Sequence, residues 1–189
     1  IGMISLLPLA LVIKVLYLCT GDFHSIFFKQ ERIGRYGKTF QLYKFRTMKP
    51  NADEILKTLL ETNADLREEY EENKKMKKDP RVTKAGAIIR KLSLDEFPQF
   101  INIFKGDMSL VGNRPYLPRE QEDMGSYYKY IVSLRPGLTG YWQVNGRSNT
   151  TFLNRLRMEK YYSNNRSLLL DIKIIGKTIV QVFKRDGAI

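Results

Sequence analysis

The amino-acid sequence predicts an α/β domain of the α+β type, with a small sheet and several amphipathic helices. Residues 39–48 alternate between apolar and polar side chains, which is typical of a half-buried strand. Residues 51–78 and 168–183 instead carry apolar side chains at helical spacing. With 189 residues, the chain is long enough for one domain with a sizeable core.

Residues 1–20 are almost wholly apolar, apart from Lys14, and they include Pro8. The uncharged part is shorter than the roughly 20 residues that cross a bilayer as a helix. A proline there would bend a helix. A buried core helix, the end of a longer spanning helix, and a segment that enters and leaves one leaflet are all compatible with this pattern. Because the sequence begins inside an apolar run, we expect it to be part of a longer protein.

The predicted strand follows a turn formed by Gly34, Gly37 and Lys38. Lys44 and Arg46 lie on the same face of this strand, because successive side chains alternate. Two cations on one face indicate either a pair whose charges reach solvent at the rim of the sheet or an anion site. Residues 51–78, in contrast, are predicted to form a solvated helical hairpin or helix face.

The overall charge favours an anionic partner. Lys and Arg number 32 against 20 Asp and Glu, so the net charge is +12. Nucleic acid, anionic lipid and a phosphorylated substrate all fit this surplus. The single cysteine and the single histidine exclude an intrachain disulfide, a thiolate zinc cage and a two-histidine metal site. A metal would therefore be held by oxygen ligands, which points to Mg²⁺.

Two adjacent carboxylates, Asp95 and Glu96, stand at a predicted helix start, just after the cations Arg90 and Lys91. A helix N-terminus attracts phosphate, and Asp95 is chemically able to attack phosphorus. This position is also expected to keep Asp95 ionised. The alternative is a helix cap, because Ser93 and Glu96 match the Ser-x-x-Glu capping box.

Further along the chain, Gly112 permits close backbone approach, and Pro115 restricts Arg114. An arginine held in this way suits bidentate phosphate binding, while the alternative is a simple turn. Residues 141–144 are predicted to form a short strand, and residues 145–147 a turn that ends on Arg147. The apolar cluster at residues 100–104 fits either a core or a face against lipid, and residues 168–183 leave the same alternatives open.

Taken together, these residues resemble the bacterial sugar transferase family, the monotopic phosphoglycosyl transferases. The resemblance runs along the whole chain, with every motif in order. The motifs are Phe28-x-Gln30-Glu31-Arg32-x-Gly34, Tyr43-Lys44-Phe45-Arg46-Thr47-Met48, Ser93-Leu94-Asp95-Glu96-Phe97-Pro98-Gln99, Gly106-Asp107-Met108-Ser109-Leu110-Val111-Gly112, Arg114-Pro115, Arg135-Pro136-Gly137-Leu138-Thr139-Gly140 and Gln143-Val144-Asn145-Gly146-Arg147. The chain departs from the family pattern at Asn113, where proline is usual, at Phe97, where leucine is usual, and at Leu7, where serine is common.

The resemblance implies transfer of a hexose-1-phosphate from a UDP-sugar to undecaprenyl phosphate, with release of UMP, as the first membrane step of O-antigen, capsule or exopolysaccharide synthesis. Asp95 would be the nucleophile, forming an aspartyl phosphosugar, and Glu96 with Asp95 would hold Mg²⁺. The acidic insert before residue 79 is similar to that of the undecaprenyl-phosphate galactose or glucose phosphotransferases, so we expect one of these two sugars.

The resemblance also assigns further site residues. Arg90, Arg114 and Arg147 are expected to bind phosphate or nucleotide. Lys44 and Arg46 join this set because they share a strand face.

For the membrane, the resemblance implies that residues 1–20 form a re-entrant helix bent at Pro8, with no spanning helix. Residues 21–189 would form the catalytic domain at the cytoplasmic face of the bacterial inner membrane, in contact with lipid. No nucleic acid is expected as a partner, and a homodimer is one arrangement to test. The alternative is a basic, membrane-tethered module that binds nucleic acid or protein without catalysis. It explains the charge but not the ordered motifs or the acidic pair.

Overall fold

A computed structural model describes residues 5–73, 76, 79–146 and 150–184 of the chain. The predicted mixture of helices and small sheets is confirmed. In chain order the elements are α1 (Leu6–Cys19), β1 (Phe27–Ile33), β2 (Thr39–Phe45), α2 (Ala52–Thr62), α3 (Ala64–Asn73), α4 (Lys84–Lys91), α5 (Gln99–Lys105), β3 (Ser109–Val111), α6 (Gln121–Met124), α7 (Tyr128–Ile131), β4 (Gly137–Thr139), α8 (Tyr141–Asn145), α9 (Phe152–Asn165) and α10 (Leu168–Lys184). Short 3₁₀ turns lie at Arg35–Gly37, Leu94–Glu96, Pro118–Glu120 and Gly125–Tyr127.

The strands of the described residues pair two by two. β1 and β2 form an antiparallel hairpin in which Phe28 lies opposite Lys44. The predicted turn before β2 is confirmed, and it contains two residues in the left-handed region, Tyr36 (φ 60°) and Gly37 (φ +78°). β2 itself ends at Phe45, before the predicted end at residue 48. β3 and β4 pair in parallel.

Gly112 and Gly137 bring the ends of β3 and β4 into backbone contact. A Cβ atom on Gly112 would lie 2.5 Å from the carbonyl oxygen of Arg135, and one on Gly137 would lie 2.1 Å from the nitrogen of Gly112. Neither position can hold a side chain without moving backbone. The close approach predicted at Gly112 is therefore confirmed, and it fixes where the chain leaves β3 towards Arg114.

The strand predicted for residues 141–144 is wrong, because this segment forms helix α8. Its aromatic and β-branched residues favour a strand in isolation. In the folded chain, α8 packs against both α9 and α10, and Val144 joins a buried cluster with Tyr162 and Ile174. Gln181 donates a side-chain hydrogen bond to the carbonyl of Val144 at 2.9 Å. Packing between helices therefore overrides the local preference.

The polar region at residues 51–78 is helical, as predicted, in the part that the structure describes. It forms α2 and α3, which are separated by Asn63, a residue with extended backbone (φ −134°, ψ 109°). Both helices are mostly exposed. The helix predicted for residues 168–183 is confirmed as α10.

Helix α1 contributes two fully buried residues, Ile13 and Tyr17, to a core shared with β2 and α4. Its other faces expose Leu7, Leu11 and further apolar side chains. Pro8 lies in the first turn, where a missing N–H removes no intrahelical hydrogen bond. Residues 1–4 lie outside the described part, so the bend at Pro8 and the re-entrant path stay predictions. Among the described residues, no helix is both long enough and apolar enough to cross a membrane.

Candidate active site

Helix α4 lies tightly against the chain that follows β2, and this contact positions Arg90. A Cβ atom on Gly86 would lie 2.0 Å from the carbonyl oxygen of Thr47, so only glycine fits there. One turn later, the Nε of Arg90 donates to Thr47 Oγ1 at 2.9 Å. The predicted phosphate-binding arginine is thus held at the end of α4, immediately before the acidic pair.

The acidic pair lies on the 3₁₀ turn Leu94–Glu96, between α4 and α5. Ser93 begins this turn in the left-handed conformation (φ 53°, ψ 26°), and its side chain makes no capping hydrogen bond. The capping-box alternative is therefore wrong. Left-handed backbone costs a residue other than glycine about 1–2 kcal/mol. Strain of this kind is concentrated at functional sites, where the surrounding structure holds it in place.

Lys44 of β2 reaches both carboxylates of the pair. Its Nζ lies 3.1 Å from Glu96 Oε1 and 3.8 Å from Asp95 Oδ2. The Asp95 side chain is 15% exposed and that of Glu96 is 40% exposed, so Asp95 is the more enclosed of the two. The structure thus brings one of the two predicted strand cations to the predicted nucleophile.

The two carboxylates differ in how readily they ionise. Burial raises the pKa of Asp95 above its usual value, and Lys44 and Arg90 counteract only part of this rise. For Glu96, burial also opposes ionisation, but Lys44, Arg114 and a hydrogen bond from Gln99 together hold the pKa below its usual value. The position of Asp95 on the turn therefore does not lower its pKa in the protein alone. Additional positive charge would favour the nucleophilic form of Asp95.

The second strand cation, Arg46, makes different contacts. Its two Nη atoms donate to both carboxylate oxygens of Asp22, at 2.9 and 3.0 Å, and its Nε donates to the carbonyl of Ser25 at 2.6 Å. Its guanidinium also lies over the ring of Tyr17, 4.7 Å from the centroid. Arg46 lies just after the end of β2 and fastens the segment that follows α1 to it.

Asn102 fixes strand β2, which carries Lys44, and this role was not predicted from the sequence. This residue of α5 is fully buried. Its side chain accepts a hydrogen bond from the backbone N–H of Tyr43 at 3.0 Å and donates to the carbonyl of Gln41 at 2.7 Å. These bonds satisfy the open edge of β2, the strand that carries Lys44. An asparagine inside an apolar run was the available signal.

Arg114 is held by its backbone and leaves its guanidinium available. The preceding residue, Asn113, is fully buried and donates from Nδ2 to Ser163 Oγ at 2.8 Å and to the carbonyl of Ile131 at 3.3 Å. The N–H of Arg114 donates to Glu159 Oε1 at 3.1 Å. These bonds explain how asparagine serves at a position where the family usually has proline.

The positive charge of Arg114 acts on the acidic pair, because it helps to lower the pKa of Glu96. Lys44, Arg90 and Arg114 therefore all act on the pair. Arg147 lies outside the described residues, so its predicted role is not placed.

No group of three or more His, Cys, Asp or Glu side chains that could hold a metal occurs among the described residues. The pair Asp95 and Glu96 nevertheless supplies oxygen ligands of the kind that Mg²⁺ prefers. Mg²⁺ is commonly bound through one or two carboxylates together with waters and substrate phosphates. The residues present fit such an ion. It would share the two carboxylates with Lys44.

Comparison with known proteins shows the family of this chain. Residues 1–185 match the family described as Bacterial sugar transferase. The chain is 43% identical to an undecaprenyl-phosphate galactose phosphotransferase of Salmonella typhimurium, over 98% of this chain and 39% of the relative. It is 43% identical to a UDP-galactose-lipid carrier transferase of Erwinia amylovora, over 100% of this chain and 39% of the relative.

A shorter relative covers the chain more evenly. The exopolysaccharide production protein ExoY of Sinorhizobium fredii is 42% identical over 100% of this chain and 83% of its own length. The chain thus spans about two fifths of the two larger relatives and most of the shorter one. With the motifs of the acidic turn and the matching family region both in place, the chain belongs to the bacterial sugar transferase family.

Proposed function

We propose that this chain transfers a hexose-1-phosphate from a UDP-sugar to undecaprenyl phosphate, with release of UMP, as the first membrane step of surface polysaccharide synthesis. The observation that carries the proposal is the enclosed Asp95 carboxyl beside Glu96, with Lys44, Arg90 and Arg114 acting on the pair. The names of the relatives support a galactose donor and a lipid carrier as acceptor.

In the first step, an Asp95 carboxylate oxygen attacks the phosphorus that carries the sugar. The bond from this phosphorus to the oxygen of the UMP phosphate breaks, and its electron pair leaves with UMP. In the second step, a phosphate oxygen of the lipid attacks the same phosphorus and the aspartyl oxygen leaves, which regenerates Asp95. Splitting the transfer into two displacements is the usual benefit of a covalent intermediate.

The surrounding cations would act mainly through charge. Lys44 and Arg90 lower the pKa of Asp95 and so favour the ionised nucleophile. Arg114 would bind phosphate oxygens, because a guanidinium matches their geometry with two parallel donors. Asp95 and Glu96 would hold Mg²⁺, which when bound neutralises charge on phosphate oxygens. Positioning and electrostatics supply most of the rate in phosphoryl transfer.

Contact with lipid is part of this proposal. α1 exposes Leu7 and Leu11, α5 exposes Phe104, and α10 exposes Leu168 and Ile172. Apolar faces of this kind suit helices that lie in a membrane interface. A water-soluble donor and a lipid acceptor would meet at such a surface, which we place at the cytoplasmic face of the bacterial inner membrane.

The test is UMP release by the detergent-solubilised chain, supplied with undecaprenyl phosphate, Mg²⁺ and either UDP-galactose, UDP-glucose or an N-acetylated UDP-sugar. We expect release with one donor, loss of release on chelation with EDTA, and recovery when Mg²⁺ is restored. Release that persists in EDTA would remove the metal from the proposal. Absence of UMP with every donor would contradict the proposed reaction.

A further inference from the structure

Arg114 is an arginine whose guanidinium makes no hydrogen bond or ion pair with the described residues, although its Nε is enclosed. The backbone of the same residue is well fixed, since its N–H donates to the buried carboxylate of Glu159. An enclosed donor without an acceptor is unfavourable and is rare in folded proteins. The position of this donor therefore suits hydrogen bonding to a bound ligand.

A second such donor lies beside it. Trp142 is 8% exposed, and its indole Nε1–H is buried without a partner. The Arg114 guanidinium carbon lies 5.6 Å from the centre of the Trp142 ring, and that of Arg155 lies 4.3 Å from it. A buried tryptophan N–H usually has a hydrogen-bond partner. Two enclosed donors without acceptors thus belong to neighbouring side chains.

The charges around these donors favour an anion. Arg155 and Arg32 are 3% and 8% exposed. Burial, followed by the charge of Arg114, lowers the pKa of both guanidinium groups, and that of Arg32 falls to about 9. The charge of Arg114 therefore acts on two enclosed arginines, which is costly unless an anion offsets it.

The acidic groups near these arginines already accept hydrogen bonds from other donors. Glu96 accepts from Lys44, Glu120 accepts from the N–H of Leu117, and Glu159 accepts from the N–H of Arg114. None of them accepts a hydrogen bond from the Arg114 guanidinium within the described part of the chain. These carboxylates therefore leave the guanidinium donors of Arg114 able to bind a further anion.

We propose that Arg114, Arg155 and Trp142 form a second anion subsite, which binds the phosphate of the departing nucleoside monophosphate rather than the phosphoryl group transferred to Asp95. This inference rests on the proposed function and names where the leaving group is held. A UDP-sugar carries two phosphates, and Asp95 with Lys44 and Arg90 accounts for only the one that reacts. When the bond to UMP breaks, its electron pair adds negative charge to the UMP phosphate, next to these arginines.

A phosphomonoester could also come from the lipid acceptor, but the features of the subsite favour the nucleotide. Trp142 and Arg155 are both enclosed. The exposed apolar side chains that would accompany a prenyl chain lie instead on helices such as α1 and α10. The test therefore compares both sources of phosphate.

Trp142 itself provides the readout, because it is the single tryptophan of this chain. The 189-residue chain in detergent is titrated with UMP, uridine or farnesyl phosphate while tryptophan fluorescence is recorded. We expect a saturable change with UMP and an affinity for uridine at least about ten-fold weaker, because the phosphate supplies the charge-assisted bonds. Asp95→Asn should keep the UMP response, since the subsite does not include the nucleophile.

Variants test the individual donors. Arg155→Lys should weaken UMP binding by about five-fold or more, because an ammonium cannot replace the guanidinium donors. Arg157→Lys is the matched control on the same helix, where the side chain is exposed, and should leave binding unchanged. Trp142→Phe keeps an aromatic ring but removes the N–H, and it should weaken UMP binding measured by calorimetry while circular dichroism stays the same.

Three results would overturn the subsite: equal affinity for uridine and UMP, a response to farnesyl phosphate with none to UMP, or full UMP affinity in both Arg155→Lys and Trp142→Phe. The subsite and the proposed reaction fail separately. UMP binding at Trp142 without turnover of any donor would support the subsite and contradict the reaction. Turnover with no UMP response at Trp142 would support the reaction and contradict the subsite.

Discussion

Lys44 Nζ donates a hydrogen bond to Glu96 Oε1 at 3.1 Å, across the gap between strand β2 and the acidic turn. The same ammonium lies 3.8 Å from Asp95 Oδ2. One lysine thus offsets the charge of both carboxylates, and it does so from a strand whose open edge is satisfied by Asn102. The ionisation of the pair therefore depends on how β2 is held.

Replacing Lys44 by glutamine should shift the acidic limb of the pH profile of kcat upward by about one unit. Lys44 lowers the pKa of Asp95, so its loss raises that pKa further, and a higher pH is then needed to ionise the nucleophile. The measurement is UMP release between pH 5 and 9, with Lys29→Gln on strand β1 as the control. An unshifted limb would mean that Lys44 does not set the ionisation of Asp95.

Replacing Arg114 by alanine should cost about 2–4 kcal/mol of transition-state stabilisation, as for the loss of one preorganised donor. The expected readout is a lower kcat/KM for the UDP-sugar. Arg119→Ala is a suitable control, because Arg119 is 54% exposed and its contact with Asp53 is 4.0 Å long. Unchanged kinetics in Arg114→Ala would leave the turn interpretation of this motif.

Replacing Glu159 by glutamine should remove a pH dependence of stability. Glu159 is fully buried, and burial raises its pKa to about 7. In the unfolded chain this group ionises near its usual pKa of about 4.3, so the folded state holds the extra proton between these values. Stability of the natural protein should therefore fall as pH rises from about 4.3 to about 7.

Glutamine cannot ionise but can still accept the hydrogen bond from the N–H of Arg114. Thermal melts of Glu159→Gln should accordingly show a flatter pH dependence in that window, measured as the difference in Tm from the natural protein. A variant with the same slope as the natural protein would contradict the assigned ionisation of Glu159.

Replacing Asp22 by asparagine should destabilise the fold by about 2 kcal/mol at neutral pH, because Arg46 would lose its charged partner in a largely buried site. The hydrogen bonds from Arg46 lower the pKa of Asp22 to about 2. This contribution is present above the unfolded pKa of about 3.9 and should disappear as pH falls towards 2. Urea unfolding at pH 7 and at low pH measures this contribution, with Asp53→Asn as an exposed control. Equal stability of Asp22→Asn and the natural protein at pH 7 would contradict the prediction.

The parts of the fold that the sequence predicts are those with strong local signals. The alternation at residues 39–45 gives β2, the helical spacing at residues 168–183 gives α10, and Gly112 marks the backbone contact with Gly137. The two periodic patterns are decided by residues close together in the chain, and Gly112 is a local mark of a contact whose partner lies further along it. Local periodicity and glycine geometry are therefore sufficient to find them.

The features that the sequence did not reveal depend on distant partners. Residues 141–144 form α8 because α9 and α10 pack against them. Arg46 turns to Asp22, which is 24 residues earlier in the chain. The site shows the same division: the acidic pair is visible as adjacent letters, whereas the contact of Lys44 with it requires β2 and the turn to be brought together. Trp142 beside Arg114 carries no signal in sequence spacing.

The proposed mechanism requires Asp95 to become covalently attached to the phosphosugar. The most direct measurement is the intact mass of the chain after incubation with Mg²⁺ and the UDP-sugar that supports UMP release, with the lipid acceptor left out. We predict an added hexose phosphate on the natural protein, its localisation to Asp95 by peptide mapping, and its absence from Asp95→Asn. The same adduct on Asp95→Asn, or release of UMP by the natural protein without any adduct, would contradict the account.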